Sequence, residues 1–364
     1  MRLPELRLFR HPEIVTQRPY GFDLTADGWL WEACGAGTLY AHHINTGEVR
    51  LVTLPESRGH SINQMICFGG QLVGIVPDYK GYLLYDPVTG ACSYPELPGD
   101  NTIVWYGGRL PDGRLALYDR GMGRLLLLDE PGGAVKAVVC PFAGSEAAGH
   151  IANGQVLGDG LSYSFVRDPA KIIRYDIAAD RFVDEIPFAV AEAGPSGCID
   201  ADGVAYIADS AGGRLLPFDM RTGRWLDPLP VPGHGSVFGF IGSCQPFQGC
   251  GYFSLSTYRF PSRIDPRTGD LILPDGWEIG VDGRRPPRFL DRQLAFDPAT
   301  GAFDFLTVPA QPDGTPLICY AYGDAERLIF TGYLIPPDER GHPSDQPGQW
   351  LVWQHIPAHD RRKE

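Results

Sequence analysis

The stretch Leu84-Tyr85-Asp86-Pro87-Val88-Thr89-Gly90 recurs through the chain as apolar residues, a turn residue and a closing glycine, which Asp180 replaces in one copy. The position of Asp86 in this pattern is taken at seven places by His43, Asp86, Asp129, Asp176, Asp219, Asp265 and Asp297. Successive places are 43, 43, 47, 43, 46 and 32 residues apart. An Asp side chain caps backbone N–H groups two residues on, and Gly adopts positive φ readily, so each copy predicts a strand that ends in a turn.

A second hairpin precedes each of these turns. It is marked by turns such as Ala26-Asp27-Gly28 and Ala201-Asp202-Gly203, each followed by an apolar run. Four short strands in a period of about 43 residues, without any helical period, predict an all-β fold of the β-propeller type. The absence of a 3.6-residue apolar period argues against a helical solenoid.

The repeat divides the whole chain, 1–364, into blades of a single propeller domain. We expect seven four-stranded blades, with six or eight as the alternatives. Their predicted bounds are 19–57, 59–98, 101–142, 149–189, 194–232, 235–308 and 315–355. The short step of 32 residues predicts an inserted hairpin at 259–285 inside the sixth blade. A strand at 5–9 from the N-terminus is expected to close the last blade and cover its exposed edge.

Composition limits the possible partners. The net charge of −13 repels nucleic acids and acidic membrane surfaces, so neither is expected as a partner. The eight cysteines include no CxxC pair, and the N-terminal residues have no apolar core of signal-peptide length. Both features favour a reducing cytoplasm and cysteines that serve as small buried apolar residues. The oligomeric state is left open.

One repeat resembles a known family. The stretch 19–32, Pro-Tyr-Gly-Phe-Asp-Leu-Thr-Ala-Asp-Gly-Trp-Leu-Trp-Glu, followed by Thr46-Gly47 and Leu54-Pro55, resembles the streptogramin (virginiamycin B) lyase repeat. Residues 195–206 resemble it again. Gluconolactonase-type and NHL-type propellers share much of this pattern.

The resemblance implies a seven-bladed propeller that binds Mg²⁺ and uses His and Glu to open a cyclic depsipeptide by elimination. This sequence departs from the family pattern at the residues that matter most. Of the Leu-Trp-Phe-Thr-Glu ending, the first blade keeps only Leu30-Trp31-Glu32. The single His-x-Glu, His11-Pro12-Glu13, precedes the first predicted blade. The family's catalytic residues therefore cannot be carried over one by one.

Three Gly-His pairs point to a shared site. His60, His150 and His234 stand just before the first strands of the second, fourth and sixth predicted blades. That placement predicts three imidazoles at one mouth of the central channel. Three neutral imidazoles suit one divalent metal ion with open positions. Without metal, one histidine would act as a general base with a pKa near about 6.5. The competing interpretation is that each histidine only caps its strand.

Other side chains are expected on the same face. Tyr258 is predicted to donate a proton and Arg259 to hold a carboxylate or enolate, so both join the histidines as catalytic candidates. The predicted substrate-binding residues are Tyr20, Asn101, Asp119 and Asp209. Glu32, Asp78 and Asp168 also end second strands, where acidic residues are typical of hydrogen bonding between blades. His42 and His43, beside a turn on the opposite face, are predicted to be structural.

These residues predict an enzyme that acts on a small or medium-sized organic molecule. The expected reaction is a lyase-type elimination, or a related isomerisation or cyclisation, with the inserted hairpin and the loop 336–348 as walls or a lid. No nucleotide or flavin cofactor is expected. One alternative is a non-catalytic scaffold for a protein or ligand. Another is a lactonase-type hydrolase, whose calcium site would need Glu, Asn and Asp ligands, of which only Asn101 is found.

Overall fold

The strands were located in a computed structural model of the chain. It describes residues 3–16, 20–33, 37–55, 62–77, 79–142, 152–167, 170–190, 195–209, 213–232, 240–257, 263–264, 271–272, 289–308, 311, 313–323, 326–335 and 348–355. Every regular element within these ranges is a β-strand. The all-β prediction is therefore confirmed for the described residues, which contain no helix long and apolar enough to span a membrane.

The first nine strands comprise the N-terminal strand β1 and eight strands of a large sheet. They are β1 (Leu6–Thr16), β2 (Tyr20–Leu24), β3 (Trp29–Ala33), β4 (Thr38–His43), β5 (Val49–Thr53), β6 (Gln64–Phe68), β7 (Gln71–Ile75), β8 (Tyr82–Tyr85) and β9 (Cys92–Ser93). Strands β2 to β5 and β6 to β9 are two antiparallel meanders. One parallel pair, Gly21 with Gln64, joins them into a single eight-stranded sheet.

Three smaller sheets follow along the chain. Their strands are β10 (Val104–Arg109), β11 (Leu115–Asp119), β12 (Arg124–Leu128), β13 (Val135–Val139), β14 (Ala152–Val156), β15 (Leu161–Arg167), β16 (Ala170–Asp176), β17 (Arg181–Pro187), β18 (Pro195–Ala201), β19 (Val204–Asp209), β20 (Arg214–Asp219), β21 (Arg224–Trp225) and β22 (Leu229–Pro230). Strands β10–β13 and β14–β17 are four-stranded meanders. In the third sheet, β21 and β22 both pair with β20.

The remaining strands complete the molecule. They are β23 (Phe240–Phe247), β24 (Cys250–Thr257), β25 (Arg263–Ile264), β26 (Leu271–Ile272), β27 (Phe289–Asp297), β28 (Ala302–Thr307), β29 (Thr315–Gly323), β30 (Leu328–Ile335) and β31 (Gly348–His355). One sheet has the order β23-β24-β27-β28, and the small hairpin β25–β26 lies between β24 and β27 in sequence.

The last sheet is closed by the start of the chain, as predicted. Its order is β1-β31-β30-β29, and β1 pairs antiparallel with β31 from Leu6 opposite His355 to Thr16 opposite Gly348. The strand is longer than the predicted 5–9. The pairing of β1 with β31 shifts in register between His11 and Val15. Beyond this irregularity, Val15 and Thr16 continue the pairing with β31.

The predicted number of separate blades was wrong. Among the described residues, five sheets of four or five strands stand alone, not seven, while β2–β9 form one continuous sheet. The reason is local, because Gly21 has no side chain to hold Gln64 away. A Cβ at Gly21 would lie 3.3 Å from Cγ of Gln64, which is a tight contact, so the absence of a side chain at Gly21 favours the close approach of β6.

The first strands of the meanders form a closed ring. Each contacts the next in the order β2, β6, β10, β14, β18, β23, β29 and back to β2. Buried apolar side chains fill the space between consecutive meanders, as with Trp31 and Leu39 against Met65 and Leu83. The ring is completed where Tyr40 and Leu30 pack with Trp350 of the last sheet. This arrangement of small sheets around an axis is propeller-like.

The repeated turns have the geometry that their residues predict. In the copy at Asp86, the carboxylate accepts the backbone N–H of Val88 at 2.8 Å and Gly90 has a φ of 74°. Asp219 and Asp297 accept equivalent bonds before Gly223 and Gly301. The degenerate first copy uses His43 instead, whose Nδ1 accepts the N–H of Thr46 at 3.2 Å. The structural role predicted for His43 is confirmed.

The cysteines whose burial is described are consistent with small apolar packing. Cys67, Cys140, Cys198 and Cys244 are buried free thiols, and Cys92 and Cys250 are partly buried free thiols. Burial raises the pKa of the Cys67 thiol, and the nearby carboxylate of Asp23 raises it further. A neutral thiol of this kind is a poor nucleophile, which agrees with a packing role.

Candidate functional site

The two ends of the sheets differ in what they carry. In each meander, the first strand begins and the second strand ends on the same side of the molecule. We call this side the first face. The Asp-Gly and Thr-Gly turns lie on the other side. In the sheet β10–β13, for example, Val104 at the start of β10 pairs with Asp119 at the end of β11. The candidate site lies on the first face, where the ring of first strands opens.

A β-bulge recurs around this opening. In six first strands the pairing with the second strand slips in the first half or the middle of the strand. The slips lie between Tyr20 and Asp23, Val104 and Tyr106, Ala152 and Gly154, Pro195 and Gly197, Ile241 and Cys244, and Ile318 and Tyr320. Only β6, among these first strands, pairs without interruption along its described length.

The bulges explain how a sheet edge can present side chains at the opening. An extra residue on one strand bends that strand, increases its twist and re-aims a side chain, which is why bulges are frequent beside active sites. In β10 the extra residue is Trp105, which has no partner in β11 because Val104 and Tyr106 oppose Asp119 and Tyr118. Trp105 is consequently 39% exposed although it stands in an inner strand.

A buried carboxylate holds the loops beside Trp105. Oδ1 of Asp119 accepts the backbone N–H groups of Ile103 at 3.0 Å and Gly121 at 3.1 Å, and Oδ2 accepts Nε of Arg124 at 2.7 Å. Arg124 also donates to the carbonyl of Pro98 and to Oγ1 of Thr102. The loop before β10 and the loop after β11 are thereby fixed to each other.

Asp209 has a similar position at the end of β19. Its Oδ2 accepts a hydrogen bond from Nε of Arg214, the first residue of the next strand, at 2.9 Å. Asp119 and Asp209 are both 0% exposed. Their hydrogen bonds to Arg124 and Arg214 are those of loop supports. The substrate binding expected of both residues stays a prediction.

Glu32 ends β3 and is buried between the first and last sheets. Its carboxylate accepts Oγ1 of Thr331 at 3.1 Å and Nε1 of Trp350 at 2.9 Å. Burial raises the pKa of Glu32 well above its usual value, and these two hydrogen bonds oppose the rise. The hydrogen bonding between blades that was predicted for acidic residues at this place is confirmed for Glu32.

Polar side chains also tie the first strands together. Asp23 of β2 accepts the backbone N–H of Cys67 in β6 at 2.8 Å and contacts Arg109 of β10 at 3.3 Å. Burial raises the pKa of Asp23, while Arg109 and two backbone N–H groups partly lower it. Gln64 bonds both the N–H and the carbonyl of Gly107. These contacts fix the ring on which the opening is built.

Several predicted site residues lie outside the described residues. These are His60, His150, His234, Tyr258 and Arg259, so their convergence at the opening stays a prediction. Tyr20 begins β2, where its backbone pairs with Ala33. Asn101 is exposed beside the opening, and its carbonyl lies so close to Gly121 that a Cβ there would stand 1.9 Å away.

The described residues contain no group of three or more His, Cys, Asp or Glu side chains that could hold a metal ion. The predicted ligands His60, His150 and His234 fall outside that search, and a divalent metal at the opening stays a prediction.

Sequence reasoning missed Trp105 and its neighbour Arg120. The guanidinium of Arg120 lies 5.2 Å from the centre of the Trp105 ring. A signal was present in the run Ile103-Val104-Trp105-Tyr106, where four bulky apolar residues interrupt the alternation expected of a strand. Such an interruption is typical of a bulge.

The fold is propeller-like, and several solved β-propeller structures share it. A catalytically inactive virginiamycin B lyase from Staphylococcus aureus with quinupristin superposes with a TM-score of 0.67, at 11% identity over 97% of this chain and 100% of that one. A streptogramin B lyase structure gives 0.64 at 12% identity, over 95% and 97% of the two chains. YCF48 bound to D1 peptide gives 0.65 at 10% identity, over 98% and 97%.

The chain therefore has a virginiamycin B lyase-like β-propeller fold over nearly its whole length. No protein-family profile matches the sequence. No curated protein sequence matches it either. At identities of 10% to 12% the likeness concerns the fold, and the chemistry has to be argued from the residues.

Proposed function

We propose that the chain is an enzyme that binds a small or medium-sized organic molecule at the first-face opening and cleaves it by a lyase-type elimination. A related isomerisation or cyclisation would use the same proton transfers. The observation that carries the proposal is the recurrent bulge in the first strands, which bends the rim of the opening at six places. The fold shared with virginiamycin B lyase supports the same class of reaction.

The catalytic histidines are proposed from their positions along the chain. His60, His150 and His234 precede β6 (from Gln64), β14 and β23 by a few residues. All three strands belong to the ring that surrounds the opening. We expect connections of this length to bring each histidine to the first face.

In the proposed elimination, one neutral imidazole removes a proton from the carbon next to a carbonyl group. The electron pair of that C–H bond forms the new double bond, and the bond to the leaving oxygen breaks. Tyr258, directly after β24, gives its proton to that oxygen. Arg259 stabilises the negative charge that develops on the carbonyl oxygen. In the alternative in which the three histidines hold a divalent metal, that metal would supply the stabilisation of this charge and none of the three would serve as the base.

The reaction class can be tested with the product's mass. Purified protein is incubated with quinupristin and with a panel of linear and cyclic esters whose ester oxygen is attached to the carbon beta to a carbonyl group, with a hydrogen on the carbon between them. An elimination that opens a ring leaves the mass unchanged and creates a double bond, whereas hydrolysis adds one water. Unchanged mass with new ultraviolet absorption supports the lyase, and a product heavier by one water supports the lactonase alternative.

The residues are tested by His60→Ala, His150→Ala and His234→Ala, each of which should abolish turnover while changing the melting temperature little. His43→Asn is the matched control, because His43 caps a turn on the opposite face and should be dispensable for turnover. Metal analysis of the same samples tests ligation, since loss of bound metal in each single variant requires a shared site. Turnover that survives all three substitutions would overturn the assignment.

A binding scaffold is the second candidate. It is favoured by the exposed apolar side chains of Ile103, Trp105 and Met122 on one part of the rim. The structure of YCF48 bound to D1 peptide shows a peptide complex in a protein of similar fold. A scaffold would bind a partner without any turnover, and its histidines could be replaced without loss of that binding.

A further inference from the structure

An exposed apolar surface lies beside the opening in the sheet β10–β13. Ile103, Trp105 and Met122 are 40%, 39% and 42% exposed. The N–H of Arg120 donates to the carbonyl of Ile103 at 2.9 Å, and the Arg120 guanidinium lies over the Trp105 ring. Met122 is close to Ile103, because Oδ1 of Asp119 accepts the backbone N–H groups of both. We call Ile103, Trp105, Arg120 and Met122 the Trp105 surface.

Buried groups hold the backbone that carries the Trp105 surface. Asp119 binds the backbone of Ile103, Gly121 and Met122, and it is itself paired with Arg124. The bulge fixes the backbone of Trp105 between two paired residues. A surface that is rigid before binding loses little entropy when a ligand binds, so exposed apolar residues here are suited to recognition.

The surface carries a positive charge. Arg120 approaches an aromatic ring, and the neighbouring carboxylate of Asp119 is already bonded to Arg124. In a chain with a net charge of −13, a guanidinium beside an exposed indole is complementary to a ligand that combines a flat ring with an anion. The ring would stack on Trp105, and the anion would accept hydrogen bonds from Arg120.

We propose that the Trp105 surface is a recognition subsite for an aromatic carboxylate group of the ligand. This inference rests on the proposed binding of an organic molecule at the first-face opening and names the chemical group that it recognises there. A protein partner that covers the same residues is the competing outcome.

The test uses the whole chain and three probes, N-acetyl-L-tryptophan, its neutral amide and N-acetylglycine. Their dissociation constants are measured by NMR titration. N-acetyl-L-tryptophan should bind about tenfold more tightly than the amide, because a charge-assisted hydrogen bond contributes about that factor. N-acetylglycine, which has the carboxylate without the ring, should not bind measurably.

Two variants separate the contributions of ring and charge. Trp105→Ala should abolish binding of both ringed probes, whereas Arg120→Gln should remove only the preference for the carboxylate. Arg50→Gln is the matched control, because Arg50 also lies over a tryptophan, Trp29, at 3.8 Å, but Trp29 is only 5% exposed and presents no ring to a ligand. Unchanged melting temperatures exclude misfolding.

Failure of the proposed subsite can be distinguished from failure of the proposed lyase reaction. Probe binding that depends on Trp105 and Arg120, without turnover of any substrate, supports the subsite and overturns the lyase. Turnover with a KM that is unaffected by Trp105→Ala overturns the subsite and leaves the lyase standing. Equal binding of the three probes, or binding of a peptide partner without any binding of N-acetyl-L-tryptophan, also overturns the subsite.

Discussion

Nε2 of His11 lies 3.1 Å from Nδ1 of His42, and both imidazoles are buried where the N-terminal strand meets the first meander. His11 belongs to β1, which closes the last sheet, and His42 to β4. The ring of His11 also lies 5.0 Å from the ring of Trp350. A hydrogen bond between two imidazoles needs one neutral acceptor, so this contact joins the two ends of the propeller only while at least one ring is neutral.

The surroundings disfavour protonation of either ring. Burial first of all, and then the adjacent His11 and His43, lower the pKa of His42 to about 3, against the opposing effect of a hydrogen bond with Gln354. Burial also lowers the pKa of His11, while Glu13, whose Oε1 lies 3.6 Å from Nδ1, partly raises it. Glu32, which accepts a hydrogen bond from Trp350, is a further titratable group buried near this contact.

The first prediction is that acid destabilises the protein through this pair. The unfolded histidines titrate near about 6.5, above their folded values, so the unfolded state takes up protons first as the pH falls. Stability is therefore fully present above about pH 6.5 and decreases below it, by about 1 kcal/mol per histidine and pH unit. Urea unfolding at pH 7, 6 and 5 measures the slope.

The control for the acid slope is the double variant His11→Gln, His42→Gln. A pair of amides keeps a hydrogen bond across the seam but does not titrate. Its free energy of unfolding should depend less on pH between 7 and 5 than that of the wild type. Equal slopes in the two proteins would contradict the prediction.

The second prediction concerns Glu32 and has the opposite sign. A carboxyl whose folded pKa is raised contributes stability that is present below its unfolded value, near about 4.3, and is lost as the pH rises towards the folded value. Glu32→Gln removes that loss while it can keep contacts to Thr331 and Trp350. The variant should gain stability relative to the wild type between pH 5 and 8, measured by urea unfolding. Glu48→Gln, an exposed carboxyl of the same sheet, should show no such gain.

Much of the fold could be predicted from the sequence because turns are local. The spacing of Asp86 and its equivalents, with glycine four residues later, predicts where strands end without knowledge of any distant contact. The closing strand was predictable for a different reason, since the last blade lacked a fourth strand. The join between the first two meanders was not predictable, because one pair of residues 43 positions apart, Gly21 and Gln64, creates it.

The site was harder to predict for a physical reason. A bulge such as that at Trp105 depends on how two strands pair, and alternation along one strand records it only weakly. Acidic residues at strand ends were ambiguous for a similar reason. Asp119 and Glu32 look alike in sequence, and only their partners, Arg124 and Trp350, show that both are buried supports.

The third prediction is that Asp119→Asn weakens both the fold and the Trp105 surface. The amide cannot accept from Arg124 as the carboxylate does, so a charge is left without its counter-ion in a largely buried place. Such a loss costs on the order of 3 kcal/mol, measurable by denaturant unfolding. Binding of an aromatic carboxylate should weaken in parallel. Asp86→Asn, in an exposed turn, should lower the melting temperature much less.

The fourth prediction tests the ties within the ring of first strands. Gln64 donates to the carbonyl of Gly107 at 3.1 Å and accepts its N–H at 2.9 Å, so β6 and β10 are joined through a side chain at this point. Gln64→Leu leaves both backbone groups without partners and should cost roughly 1 to 3 kcal/mol of unfolding free energy. The amide of Gly107 should exchange its hydrogen faster in this variant. Gln71→Leu is the matched control, because the side-chain oxygen of Gln71 has no hydrogen-bond partner in the described structure. If Gln64→Leu leaves both stability and exchange at Gly107 unchanged, the contact does not hold the two strands together.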